Sequence, residues 1–304
     1  ALENLERSVE LARQSDPREA VRALLTLGSH LELSEASSDA EAAYSEALQI
    51  AQEIGDLTAQ VELHAALARL AARRADWTAA ERACEESAAL IEREGLVSLE
   101  FFPDLISGML SWRDGDSAAA IERLNRTREL GEAAARIEVV FPALILEGWV
   151  YSGIGKHSEA DDAFAAALEV CERSGLTAQA VEATAARAVN LALADRASDA
   201  RDAADEAEHL ADRLAGSVGQ AAILDARGAS SESPAAGAVT FAEARDRWQE
   251  TGRPVEAARS ELLRAWQLAR AGDEAATESS AAAIAAFEEH GFSHMAERAH
   301  ELIG

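Results

Sequence analysis

The sequence predicts an all-α protein, an α-solenoid of about seven helix-turn-helix repeats closed by a C-terminal capping helix. Three observations lead there. Apolar residues make up 48% of the 304 residues while aromatics are only 5%, and Ala supplies much of the difference. Ala is the best helix former and lets helices approach closely. Turn signals recur at a fixed interval of 40 residues, at Ala75-Asp76, Gly115-Asp116, Gly155-Lys156 and Asp195-Arg196. Small residues recur in step with those turns. The first set is Ala40, Ala80, Ala120, Ala160, Ala200, Gly237 and Ala276. Seven residues later stand Ala47, Ser87, Thr127, Ala167, Ala207, Ala244 and Ala283. Prolines are few, at five, and no stretch alternates as a half-buried strand does.

Residues 1–14 form an amphipathic helix with Leu2, Leu5, Val9 and Ala12 on one face. It is either a cap or the second helix of a repeat cut off upstream. Asp16-Pro17 then starts a helix, with Asp as N-cap and Pro in the first turn. The first full repeat runs from Pro17 to Leu33 and from Asp39 to Ile54, and Gly55 closes it. Repeats fill residues 17–291 as one domain, and Gly28, Gly108 and Gly148 mark their first helices. The sixth repeat departs from the pattern. GASSESPAAGA at 228–238 reads as a longer loop, and Gly216 to Gly252 spans 36 residues, so this is the expected hinge. Residues 293–303 form the last helix, which caps the open end of the stack.

The pattern is clearest in VVFPALILEGWVYSGIGKHSEADDAFAAALEVCERSG, residues 139–175. Leu144, Gly148 and Tyr151 lie on one helix, and Ala160, Phe164 and Ala167 on the next. This resembles the tetratricopeptide repeat family, whose basic unit has 34 residues. Here about six more separate the units, as in GDLTAQ at 55–60 and GLTAQA at 175–180. The longer unit is similar to that of the sensor regions of MalT- and LuxR-type bacterial regulators. The segment 252–291 looks like their last repeat. Between Ala1 and Gly304 there is no basic helix-turn-helix and no Gly-rich Lys-Ser/Thr phosphate loop. The resemblance therefore implies an excised domain or a stand-alone relative. It also implies a right-handed superhelix in which the first helix of each pair lines a concave groove.

Net charge is −27 and the acidic excess is spread along the whole chain. That disfavours direct binding of nucleic acid or an anionic membrane, which need a basic footprint. The most apolar run, 139–150, is shorter than the ~20 residues of a membrane span. Cys84 and Cys171 fall on second helices of different repeats, so they read as buried free thiols, and a cytoplasmic location is expected.

No catalytic or metal constellation and no cofactor motif stands out. His290, His294 and His300 cluster near the end, but Gly291 separates the first two and the last two face different ways. Asp161-Asp162 and Glu85-Glu86 are adjacent and diverge on a helix. The informative set lies on the first helices of the third and fourth repeats. Phe102, Leu105, Met109, Trp112, Ile145 and Trp149 are apolar, and Arg69, Arg73 and Arg113 stand at the rim. Either these aromatics fill the interior, or they line a groove in which Trp and Arg anchor a ligand. Pro103 and Pro142 hold matching places in these repeats; deep in a helix they would bend it. The expected function is non-enzymatic binding of a protein or peptide partner, or of a small effector, by a monomer or homodimer. The alternative is the ligand-sensing part of a larger transcription regulator.

Overall fold

A computed structural model describes residues 2–33, 36–214 and 219–303. Among them are sixteen α-helices and no strand. After α1 (Leu2–Ser15) come seven antiparallel pairs. They are α2 (Pro17–Leu33) with α3 (Ser37–Ile54), α4 (Leu57–Arg73) with α5 (Trp77–Glu94), and α6 (Phe101–Arg113) with α7 (Ser117–Ala133). Then follow α8 (Ile137–Gly153) with α9 (His157–Ser174), α10 (Thr177–Leu193) with α11 (Ala197–Asp212), α12 (Gln220–Ser230) with α13 (Pro234–Glu250), and α14 (Pro254–Ala271) with α15 (Ala275–Glu289). The last helix, α16, spans His294–Ile303. The chain forms two compact units, residues 1–107 and 108–304. Within each, a helix packs on its pair mate and on the next pair, the arrangement of a helical-repeat solenoid.

The 40-residue period is written in the backbone. Ala75, Gly115, Gly155 and Asp195 all have left-handed φ, between 56° and 84°, and reverse the chain inside a pair. A second series, Gly55, Gly95, Ala135 and Gly175, does the same between pairs, at φ of 55–69°. Ala75, Ala135 and Asp195 carry the steric cost of a Cβ in this region, about 1–2 kcal/mol each. Asp56, Asp76 and Asp116 cap the following helices by accepting a backbone N–H three residues on.

The small-residue sites are where the helices meet. All fourteen named from the sequence are buried, twelve of them completely, among them Ala40, Ala120, Ser87 and Ala283. The glycines on first helices face the bulkiest residues of their mates. A Cβ on Gly148 would stand 2.5 Å from Cε1 of Phe164, and one on Gly28 would fall within 3 Å of the Tyr44 ring. Gly108 faces Leu124 and Gly228 faces Phe241 in the same way.

Residues 228–238 are not the long loop expected from their composition. Helix α12 runs through Ser230, and α13 begins at Pro234. Gly228 stays helical because Phe241 fills the space beside it. Ser233 accepts from the amide of Ala236 and Pro234 opens the helix, so the Ser-Pro pair is a helix start. The Gly216 end of the 36-residue interval lies outside the described residues. Pro103 occupies the first turn of α6, where it costs nothing, whereas Pro142 is inside α8 and leaves the carbonyl of Glu138 without its i+4 amide. Cys84 and Cys171 are both buried, and the Cys84 thiol donates to the carbonyl of Pro103 at 3.5 Å.

Candidate functional site

Four of the nine sequence-predicted residues lie in the unit 1–107. Phe102 and Leu105 are buried, and the Phe102 ring packs 4.7 Å from that of Phe101. Arg69 is engaged inside its own repeats. It donates two hydrogen bonds to the carboxylate of Glu32, at 2.9 and 2.8 Å, and Tyr44 Oη donates to the same carboxylate at 2.7 Å. Arg73 stands 3.9 Å from Glu32. Burial alone would raise the Glu32 pKa, but Arg69, Arg73 and the Tyr44 hydroxyl hold it below the ordinary carboxylate value. Burial first, and Glu32 second, push Tyr44 up to about 12.

The other five lie in the unit 108–304. Met109 is partly buried on α6. Arg113 donates from Nε to Asp114 at 2.7 Å. Trp112 is partly buried, its Nε1 has no acceptor among the described residues, and its ring meets Phe292 edge-on at 5.3 Å. On α8, Ile145 belongs to a buried cluster with Phe141, Phe164 and Val181. Trp149, one turn further, packs edge-on to Phe164 at 5.5 Å. The apolar set is therefore continuous with the core, with Trp112 and Trp149 at its partly exposed edge.

The first helices α8, α10, α12 and α14 touch in succession as well as packing on their mates and form one layer of this unit, called the inner layer after the side that the repeat resemblance implies. Trp149 lies within that layer, and α14 reaches it. The Arg259 guanidinium lies 3.7 Å from the centre of the Trp149 ring, a cation–π stack. Asp225 of α12, 2% exposed, holds the next position. It accepts from Trp248 Nε1 at 2.8 Å and from Ser260 Oγ at 2.6 Å, and its Oδ2 is 3.7 Å from Arg259. Burial raises the Asp225 pKa despite Arg259 and these hydrogen bonds. Burial likewise lowers the Arg259 pKa despite Asp225 and Glu256. Arg259 Nε is buried without an acceptor among the described residues. A second stack flanks the first: Arg253 lies 4.4 Å over the Trp248 ring, pairs with Glu256, and stands 3.8 Å from Glu182 of α10.

Sequence reasoning placed Trp149 in this layer but missed Arg259, Asp225, Arg253 and Trp248. Arg253 and Arg259 lie in the segment 252–291, yet no local spacing says that Arg259 meets a ring 110 positions earlier. The assembly presents stacked cations, buried carboxylates and aromatic faces, which suit recognition of a polar chain. Among the described residues no three His, Cys, Asp or Glu side chains are placed to hold a metal, and no helix is long and apolar enough to cross a membrane.

No protein-family model matches the sequence, and no curated protein shows a significant match. Solved structures do match the fold. The crystal structure of a Rap protein complexed with competence and sporulation factor aligns with 99% of this chain and 86% of its own, with a TM-score of 0.68 and 13% identity. A signal transduction ATPase with numerous domains from Pyrococcus horikoshii, which carries a tetratricopeptide repeat sensor, aligns with all of this chain over 50% of its own, with a TM-score of 0.49 and 14% identity. The likeness is one of fold: a tetratricopeptide-like helical repeat.

Proposed function

We propose that this chain is a binding scaffold, not an enzyme, and that the inner layer of residues 108–304 takes a peptide or an extended segment of a partner protein. The observation that carries this reading is Arg259. Its plane is fixed on Trp149, its Nε lacks an acceptor, and its burial is incompletely compensated by Asp225. A buried donor left unfilled is costly, and a ligand carbonyl or carboxylate would remove that cost. Trp149, Trp112, Ile145 and Met109 supply apolar contact beside it, with Arg113 at the rim. Phe102, Leu105, Arg69 and Arg73 belong to the unit 1–107. The fold shared with a Rap protein complexed with competence and sporulation factor agrees with such a role. A second reading, the sensor region of a larger MalT- or LuxR-type regulator, is favoured by the 40-residue unit and would use the same surface.

Selection of random 12-residue peptides against the full chain tests the proposal. Selected peptides should lose at least tenfold in affinity, about 1.4 kcal/mol, on both Trp149→Ala and Arg259→Met. Equal binding to wild type and to both variants, with helicity intact, would overturn it.

A further inference from the structure

In a helical stack each unit meets its neighbours alone. The segment 292–303 does more. Helix α16 packs on α15 and α14, as a cap does. It also reaches residues some 140–180 positions earlier in the same unit. The Phe292 ring sits 5.3 Å from Trp112, at 76°. A Cβ on Gly153 would lie 3.9 Å from both Met295 Sδ and the Trp112 ring. A Cβ on Gly115 would lie 3.3 Å from His294 Cβ, and one on Gly155 would lie 3.6 Å from the Arg298 guanidinium. The segment thus crosses the turn after α6 and the turn after α8.

Its contact face is a helical stripe. Phe292, Met295 and Ala299 are buried, at spacings of three and four, while Glu297, His300 and Glu301 point outward or lie at the edge. The surface it covers is not fully used by it. Trp112 Nε1 is buried there without an acceptor among the described residues, and Phe292, which meets its ring edge-on, offers none. A segment with the same aromatic and apolar pair and one well-placed acceptor would satisfy that donor and bind more tightly.

We propose that the face formed by Trp112, Gly115, Gly153 and Gly155 is a docking site for a short amphipathic helix, filled in cis by the chain's own residues 292–303 as a displaceable latch. The partner it fits is a helix presenting an aromatic residue, an apolar residue three positions on, and a hydrogen-bond acceptor toward Trp112. Covalent linkage gives α16 a high effective concentration at the site. An outside helix therefore gains access only when the latch is released. This site shares Trp112 with the surface proposed above but rests on other contacts, and it stands whether or not a ligand binds at Arg259.

The probe is a synthetic peptide of residues 291–304, tested by calorimetry against the full chain. Wild type should bind it at least tenfold more weakly than Phe292→Ala/Met295→Ala, whose latch no longer fills the site. Adding Trp112→Ala to that variant should abolish the gain. Gly115→Cys/His294→Cys provides a check that keeps the Phe292 and Met295 contacts, because its Cβ atoms would stand 3.3 Å apart, just below the roughly 3.5–4.5 Å of a disulfide, although a side chain at residue 115 must tolerate a φ of 84°. The oxidised form should bind no peptide, and acrylamide should quench Trp112 less in it than in the reduced form. Equal peptide binding by wild type and the unlatched variant, no binding by any form, or identical quenching of locked and reduced protein would each overturn the proposal.

Discussion

Gly148→Ala separates two opposed effects at the centre of a repeat. In an exposed helix, replacing Gly by Ala stabilises by about 0.5–1 kcal/mol, because the unfolded chain loses freedom and the helix gains propensity. At Gly148 the new Cβ would stand 2.5, 2.7 and 2.8 Å from three atoms of the Phe164 ring, which is fully buried. Carbon atoms rest about 3.5–4.0 Å apart, so the ring must move by about 1 Å. It has little room, because Trp149 packs edge-on against it. Overpacking of this kind costs about 1–3 kcal/mol, which exceeds the propensity gain. Gly148→Ala should therefore destabilise by about 0.5–2 kcal/mol. The same substitution in a Phe164→Leu background should be neutral or stabilising, since the ring is gone. The assay is urea unfolding followed by tryptophan fluorescence and by circular dichroism. A Gly148→Ala protein more stable than wild type would refute the close-approach reading of the repeat.

Two further perturbations address the polar network of residues 1–107. Arg69→Met leaves the buried Glu32 carboxylate short of its main partner and should cost about 3–5 kcal/mol, with part recovered in Arg69→Met/Glu32→Leu; thermal melts of the three proteins decide this. The Tyr44 pKa, about 12 against an ordinary 10, means the folded state holds a proton that the unfolded state releases first. Stability should then be full below pH ~10 and fall as pH rises toward 12, by up to about 3 kcal/mol. Urea midpoints across that range should fall less steeply for Tyr44→Phe, and equal slopes would exclude Tyr44 as the cause.

Neighbour contacts were legible in the sequence and distant ones were not, for a physical reason. The left-handed turns at Ala75, Gly115, Gly155 and Asp195 and the buried sites from Ala40 to Ala283 repeat because each pair makes the same contact with its mate. Composition misled at 228–238, where Ser and Gly suggest a loop. There Gly228 makes room for Phe241, and Ser233-Pro234 starts a helix, roles that tertiary packing and capping assign to loop-type residues. Arg69 was visible as a cation on a first helix, but its pairing with Glu32, 37 residues back, depends on how two pairs stack. Trp149 with Arg259, and Trp112 with Phe292, depend on the summed rotation of several repeats, which no local spacing encodes.

The claim that the inner layer is the binding surface is met most directly by hydrogen–deuterium exchange of the full chain with and without a selected peptide. Protection is expected on α8, α10, α12 and α14, centred on the turns around Trp149 and Arg259, with α9, α11 and α13 unchanged. Protection confined to those outer helices, with the inner four unaffected, would contradict it.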